Sequence, residues 1–142
     1  MKNTIFTGLL LFLGFVCLAQ SPIGTWKTID DETGEAKSHV EIYETSSGKL
    51  EGKVIKILTP GKEAAKCENC SGDLKNRPIK GMVILRDLEK KGNEWKNGYI
   101  LDPNNGKEYK SKMSLKDDNT LEVRGYIGIS LIGRTQSWER IK

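Results

Sequence analysis

Short segments in which apolar and polar residues alternate recur along the chain from residue 23 to its C-terminus. Residues that favour turns, mainly Gly, Asn and Asp, separate these segments, and no segment sustains the spacing of an amphipathic α-helix. Alternation with a period of two places successive side chains on opposite faces of a β-strand. The pattern therefore predicts an all-β protein with eight strands, at residues 23–29, 37–44, 50–58, 82–88, 94–101, 109–116, 121–127 and 132–141.

The connections between the predicted strands are short, except for residues 59–80 between the third and fourth strands. Strands joined by short connections pair antiparallel, because a parallel pair needs a crossover of about a dozen residues or more. An open meander would leave two sheet edges exposed, whereas closure into a barrel removes both. We therefore expect a single eight-stranded antiparallel up-and-down barrel, with a β-sandwich as the alternative architecture.

The N-terminal residues 1–19 have the composition of a cleavable signal peptide. Lys2 provides a positive charge, and the apolar stretch that follows is shorter than the roughly 20 residues a transmembrane helix needs. Cys17 and Ala19 place small residues at positions −3 and −1 of a cleavage site before Gln20. The alternatives are a membrane anchor and a lipoprotein modified at Cys17, although bulky residues precede that cysteine. We expect cleavage before Gln20 and export to the periplasm or the exterior.

The distribution of charged residues along the chain argues against a nucleic-acid partner. The chain carries 23 Lys and Arg residues and 19 Asp and Glu residues, for a formal net charge of +4, and the two signs are interspersed. Surfaces that bind nucleic acids concentrate their basic residues, so we expect no nucleic-acid partner. No second hydrophobic segment follows the signal peptide, so residues 20–142 are expected to form one domain that does not span a membrane. A protein partner is left open.

Two tryptophans mark the ends of the predicted sheet. The first strand begins Gly24-Thr25-Trp26, and the last contains Trp138-Glu139-Arg140. This arrangement resembles the lipocalin and calycin pattern, in which a Gly-x-Trp near the start packs near a basic residue from the final strand. An indole at the floor of a barrel with a guanidinium over its face gains both burial and cation–π energy. We expect Trp26, Trp138 and Arg140 to be structural residues.

Other segments of the chain carry a more specific resemblance. The most distinctive are residues 98–109 (GYILDPNNGKEY), 121–128 (LEVRGYIG), 133–138 (GRTQSW), the Gly24-Thr25-Trp26 start and the Cys67-Glu68-Asn69-Cys70 motif. Together they resemble the DUF2147 family, which consists of exported bacterial proteins of uncharacterised function. The resemblance covers essentially all of the chain after the signal peptide. It implies export and a single domain, and it supplies neither a reaction nor a ligand.

Cys67 and Cys70 form a Cys-x-x-Cys pair inside the longest connection. In an exported protein this pair is expected to form a short structural disulfide. The alternative is thiol–disulfide exchange, but reactive pairs usually sit at the start of a helix, and the sequence that follows Cys70 does not favour one. A structural zinc site needs four ligands, and His39 is the single histidine of the chain, so no metal is expected.

Four polar residues in the C-terminal part are the candidate ligand-binding residues. If Trp138 points into the barrel, the period of two places Arg134 and Gln136 on the same inner face. Arg124 and Tyr126 share one face of the preceding strand, where apolar neighbours compete for the interior. A guanidinium inside a small barrel needs an internal carboxylate or an anionic ligand. An internal ion pair or an exposed face is the alternative interpretation.

No catalytic constellation can be assembled from this sequence. The acidic clusters at residues 30–32 and 117–118 lie where turns are required, and the histidine has no nucleophile that can be placed beside it. We therefore expect a protein without catalytic residues or cofactor, which is not an enzyme and binds a small lipidic or anionic ligand inside its barrel. The alternative is an envelope protein that acts through Cys67 and Cys70 in redox chemistry or in stress-response interactions.

Overall fold

Eight antiparallel strands form a closed barrel in the computed structural model, which describes residues 20–142. The strands are β1 (Gly24–Ile29), β2 (Ala36–Glu44), β3 (Leu50–Ile57), β4 (Val83–Lys91), β5 (Glu94–Asp102), β6 (Lys107–Asp117), β7 (Thr120–Tyr126) and β8 (Gly133–Arg140). Each strand pairs with its neighbours in sequence, and β8 returns to pair with β1. The predicted up-and-down barrel is confirmed, and the sandwich is excluded. The predicted signal peptide lies outside the described residues.

The alternating pattern of the sequence corresponds to the two faces of the barrel wall. On β6, Ser111 and Met113 are buried, whereas Lys110 and Lys116 are exposed. Because successive side chains of a strand point to opposite faces, Lys110 and Lys112 lie on the outer face of the barrel.

Large apolar side chains fill the barrel interior. Trp26 and Trp138 are 0% and 1% exposed. Other apolar side chains that are almost fully buried in the core are Val40, Ile42, Val54, Leu85, Leu88, Met113 and Leu121. Burying one such side chain contributes roughly 1.5–3 kcal/mol, so this packed interior is the main source of stability.

The antiparallel order divides the connections between two ends of the barrel. One end, which we call the mouth, carries the β1–β2, β3–β4, β5–β6 and β7–β8 connections. The other end, the base, carries the remaining three turns and both ends of the described chain. The longest connection, residues 58–82, contains a single turn of 3₁₀ helix (Gly72–Leu74). No helix within residues 20–142 has the length and apolar character needed to cross a membrane.

The contact between β1 and β8, which we call the seam, is the shortest pairing in the barrel. Only two residue pairs are in register there, Trp26 with Arg140 and Lys27 with Glu139, whereas β7 and β8 share seven. On the outer surface, the ammonium of Lys27 lies 2.8 Å from a carboxylate oxygen of Glu139. The seam therefore depends on contacts from outside the ladder, and the most extensive of these come from Arg140.

Candidate functional site

The base of the barrel is closed around Trp26 and Arg140. The guanidinium of Arg140 stacks over the Trp26 indole, 4.3 Å from the ring centroid, and the indole nitrogen donates a hydrogen bond to the carbonyl of Pro22 at 2.8 Å. Arg140 also donates to three main-chain carbonyls, those of Ser21, Ile23 and Asp118. A single side chain thus joins the N-terminal segment, the β6–β7 turn and the last strand. The predicted stacking of a basic residue on the first tryptophan is present.

At the mouth, three polar side chains form a connected group that we call the mouth cluster: Asp31, Arg134 and Gln136. Arg134 binds the Asp31 carboxylate through two nitrogens, at 2.9 and 2.6 Å. The amide nitrogen of Gln136 lies 3.4 Å from the same carboxylate, and its carbonyl oxygen accepts a hydrogen bond from the Trp138 indole at 2.9 Å. The cluster therefore connects the solvent to a tryptophan that is buried in the barrel core.

The ion pair in the mouth cluster is accessible to solvent. The side chain of Arg134 is 56% exposed and that of Asp31 is 24% exposed. The hydrogen bonds from Arg134 lower the pKa of Asp31, and partial burial opposes this effect without reversing it. The same pair raises the pKa of Arg134. Exposed pairs are worth only about 0–1 kcal/mol, so an anionic group could replace Asp31 on Arg134 at small cost.

The segment of residues 58–82 covers the opposite side of the mouth. Cys67 and Cys70 form the predicted disulfide, with their Cα atoms 5.3 Å apart, and they are 0% and 3% exposed. The Cys67 sulfur lies 3.4 Å from the carbonyl oxygen of Pro103, in the β5–β6 turn. Nearby, the Asn69 amide donates to the carbonyl of Asn104 at 2.8 Å. The hydrogen bond from Asn69 holds this segment against the β5–β6 turn, and the disulfide adds two sulfur atoms to the core.

Gly106 allows the disulfide segment to approach the β5–β6 turn so closely. Its φ angle is +73°, a left-handed conformation that side chains disfavour, and a β-carbon at this position would overlap the carbonyl of Asn69. A glycine is therefore required here for both backbone conformation and space.

Arg124 and Tyr126 lie on the outer face of the barrel, because the interior positions of β7 are taken by Leu121 and Val123, which are 0% and 2% exposed. Arg124 donates to the carbonyl of Ser130 at 2.7 Å and to the Thr135 hydroxyl. These two candidate residues are therefore not brought together with Arg134 and Gln136. The prediction that Arg124 and Tyr126 could line the interior is wrong, because burying the aliphatic face of β7 is more favourable than burying an arginine.

Two of the clefts on the surface of the described chain lie on the outer face of β6 and β7 and at the base of the barrel. One, of about 210 Å³, is lined on the outer face by Glu94, Lys112, Met113, Ser114, Glu122, Arg124 and Thr135. The other, of about 200 Å³, lies at the base beside Ile23 and Trp95. Large apolar side chains occupy the interior of the barrel in this structure.

The interior nevertheless holds one unsatisfied polar atom. The hydroxyl of Ser111 is fully buried, and no hydrogen-bond partner for it is present among residues 20–142. Its register partners are Gly98 on β5 and Gly125 on β7. The side chain of Leu88 fills the space beside Gly98, because a β-carbon at that glycine would lie only 2.5 Å from it.

The acidic turns behave largely as the sequence predicts. One carboxylate oxygen of Asp30 accepts hydrogen bonds from the main-chain nitrogens of Glu32 and Thr33, and Asp117 accepts one from Asn119. Asp31 and Glu32 also lie in a turn, but their side chains pair with Arg134. Within the described residues, no three His, Cys, Asp or Glu side chains are grouped closely enough to hold a metal ion.

Comparison with known proteins places the chain in a family. The model of the family described as "Uncharacterized protein conserved in bacteria (DUF2147)" matches residues 24–140. The chain belongs to the DUF2147 family. The resemblance to the DUF2147 family that the sequence motifs indicated is therefore confirmed. No curated protein matches the chain at a significant level.

Among solved structures, this DUF2147 barrel is similar to protein HP1028 from the human pathogen Helicobacter pylori, which is described as belonging to the lipocalin family. The two chains superpose with a TM-score of 0.74 and are 27% identical, over 84% of this chain and 82% of the other. The lipocalin-like features expected from the Gly-x-Trp start are confirmed at the level of fold.

Sequence reasoning missed two features of the DUF2147 barrel. The sequence predicts Asp31 as a turn residue, and the structure shows that its side chain also binds Arg134 across the seam. The sequence predicts strands that extend to residue 127 and from residue 132, whereas β7 ends at Tyr126 and β8 begins at Gly133. The composition of the connection carries a signal, because residues 127–133 contain four large aliphatic residues and no charge.

Proposed function

We propose that this protein is exported and binds a small anionic or amphipathic ligand at the mouth of its barrel. The observation that carries the proposal is the accessible guanidinium of Arg134, whose carboxylate partners, Asp31 and Glu32, both lie at the surface. A guanidinium binds carboxylates and phosphates through two parallel hydrogen bonds, as Arg134 already does with Asp31. In this proposal the acidic group of the ligand replaces Asp31.

The packing of the barrel limits the size and position of the ligand. The core around Trp26 and Trp138 is filled, so the ligand's acidic group would stay at the mouth. Its apolar part would lie along the rim of the mouth, because Leu88 and the other core side chains fill the interior. The lipocalin fold of the H. pylori protein is compatible with binding of small molecules. Among the four candidate residues, Arg134 and Gln136 are therefore the ones proposed to contact the ligand.

Octyl phosphate is a suitable probe, with octanol as the neutral control of equal chain length. In calorimetric titrations, Arg134→Met is expected to weaken octyl phosphate binding by about tenfold or more, because hydrogen bonds to a charged group are lost. Asp31→Asn removes the carboxylate that accepts two hydrogen bonds from Arg134 and leaves only the weaker contact with Glu32, so it is expected to tighten binding. Arg124→Met, on the outer face of the neighbouring strand, is the matched control and should leave binding unchanged. Equal binding by wild type and Arg134→Met, or no saturable binding at millimolar probe, would overturn the proposal.

Native mass spectrometry of protein isolated from its own host tests the ligand and the export step together. We propose that residues 1–19 are removed as a signal peptide and that the released chain begins at Gln20 in the periplasm or outside the cell. The disulfide fits an oxidising compartment. An intact mass that begins at Gln20 supports cleavage, whereas a retained N-terminus refutes it. A mass excess that disappears on denaturation would identify the ligand.

A role in thiol–disulfide exchange has less support. Exchange requires a thiolate to reach a disulfide sulfur, and Cys67 and Cys70 are almost completely buried in the core. We therefore propose that the disulfide is structural.

A further inference from the structure

The β7–β8 connection carries an exposed group of aliphatic side chains at the mouth of the barrel. Ile127, Ile129, Leu131 and Ile132 are 66%, 60%, 84% and 64% exposed, and we call them the apolar tip. Soluble proteins expose single apolar side chains commonly, but contiguous apolar groups mark sites of interaction. Four large aliphatic residues within six positions are such a group.

The apolar tip is held in place by hydrogen bonds. The main-chain nitrogen of Ile127 donates to the carbonyl of Ile132, and that of Ile132 donates to the carbonyl of Ile129, both at 3.1 Å. From the barrel wall, Arg124 donates to the carbonyl of Ser130 at 2.7 Å. These bonds satisfy polar groups of the connection internally. The side chains consequently project from a connection whose main-chain polar groups are already partly paired.

The size and shape of the apolar tip argue against a second copy of this chain as its partner. A stable dimer buries about 800 Å² on each subunit, which is far more than four side chains on one short connection provide. A projecting tip also lacks the flat face that two identical surfaces would share. By contrast, four Ile or Leu side chains contain about sixteen carbon atoms, similar to a myristoyl chain, which binds bilayers reversibly with an association constant of about 10⁴ M⁻¹.

The charges and aromatic residue beside the apolar tip fit a lipid headgroup layer. Tyr126 precedes the tip directly and is in register with Lys110 on β6. The next outward-facing pair along these two strands, Arg124 with Lys112, lies farther from the mouth, where Lys112 is 3.9 Å from Glu94. Tyrosines favour the interface between lipid and water, and lysines near it are attracted to anionic headgroups. The acidic β1–β2 turn lies on the other flank of the mouth, so the β6–β7 side is the flank that would face the lipid.

We propose that the apolar tip inserts into the interfacial layer of an anionic lipid bilayer and holds the barrel on the membrane surface with its mouth towards the lipid. This inference rests on the exposed tip and its basic flank, and it is independent of ligand binding by Arg134. The strands of the barrel remain outside the bilayer, and only the side chains of the β7–β8 connection enter it.

Sedimentation with vesicles tests this proposal directly. The chain from Gln20 onward contains all eight strands and the complete core, and it avoids the apolar N-terminal stretch. With vesicles of phosphatidylglycerol and phosphatidylethanolamine, we expect roughly half or more of the protein to bind at about millimolar lipid. The double variant Ile129→Asn/Leu131→Asn is expected to bind roughly thirtyfold more weakly or worse, because two inserted side chains are lost.

A matched control places the same substitutions at the opposite end of the barrel. Ile23 and Ile141 at the base are 44% and 36% exposed, and Ile23→Asn/Ile141→Asn should bind vesicles like the wild type. Lys110→Gln should weaken binding to anionic vesicles by roughly fivefold and have little effect on neutral phosphatidylcholine vesicles. Far-ultraviolet circular dichroism verifies that each variant keeps its strands.

Three outcomes would overturn the proposal. They are the absence of binding by the wild type at millimolar lipid, equal loss in the tip and base variants, and a dimer in analytical ultracentrifugation that the tip substitutions abolish. The last result would show that a second copy, and not a bilayer, covers the tip.

Discussion

Arg140 should be the surface residue on which the stability of the barrel depends most. It is only partly buried, yet it stacks on Trp26 and donates to three main-chain carbonyls at the base. The informative substitution is Arg140→Met, because methionine keeps an unbranched stem and removes the guanidinium. The carbonyls left behind can bind water, so each lost hydrogen bond costs about 0.5–1 kcal/mol, below the value for buried charged partners.

The cation–π contact adds about 0.5–1 kcal/mol at a partly exposed site. The total expected loss is therefore about 2–4 kcal/mol of the free energy of unfolding, which corresponds to a fall of about 6–15 °C in melting temperature for a domain of this size. Urea unfolding followed by tryptophan fluorescence measures the loss directly. The free energy of unfolding of Arg140→Lys should lie between those of Arg140→Met and the wild type, since an ammonium cannot reproduce the planar arrangement of guanidinium donors.

Arg134→Met provides the matched control on the same strand. Its exposed ion pair with Asp31 is expected to contribute at most about 1 kcal/mol. The reasoning is wrong if the free energy of unfolding of Arg140→Met lies within about 0.5 kcal/mol of the wild-type value, or is no lower than that of Arg134→Met. Either result would show that the stacked arginine does not hold the base together.

Three further measurements test other parts of the structure. Burial and a hydrogen bond to Glu51 raise the pKa of Tyr43 to about 12. This tyrosine therefore stabilises the fold fully below its ordinary pKa and loses that contribution as the pH rises towards 12. Absorbance titration should show one phenolate that forms late and that Glu51→Gln shifts to lower pH, and titration of Tyr43 at the ordinary pKa of tyrosine would contradict its burial. The double variant Cys67→Ala/Cys70→Ala should lose about 2 kcal/mol in urea unfolding, the chain-entropy value for so short a loop, and full stability would make the bridge dispensable. Gly106→Ala should lower the melting temperature by several degrees or more, since a β-carbon has no space there; unchanged melting would show that the disulfide segment moves aside freely.

Much of the fold could be predicted because the determinants are local. The alternation on β6 and the Asp-Pro-Asn-Asn-Gly turn before it specify a strand, its faces and its starting point without reference to the rest of the chain. Closure of the barrel could be predicted because an open sheet of eight strands would leave two edges exposed. The stacking of Arg140 on Trp26 followed from the resemblance to the lipocalin pattern, not from the spacing of the residues.

The candidate site was less predictable, because it depends on contacts between residues that are distant in sequence. Arg134 finds Asp31 only when the seam closes, and no local pattern distinguishes Asp31 from the turn residue beside it. The position of Arg124 depended on which face of β7 was more apolar. Leu121 and Val123 supplied more burial than an arginine could, so Arg124 is on the outer face.

The two-pair register of the seam has a consequence for how this barrel fails. If Arg140 is removed, separation of β1 from β8 needs few hydrogen bonds to break, and it presents two unpaired strand edges while the rest of the sheet stays intact. Such edges are templates for pairing with another chain. Damage at the base should therefore appear first as association that depends on protein concentration, with strands exchanged or added between copies, before the core itself unfolds.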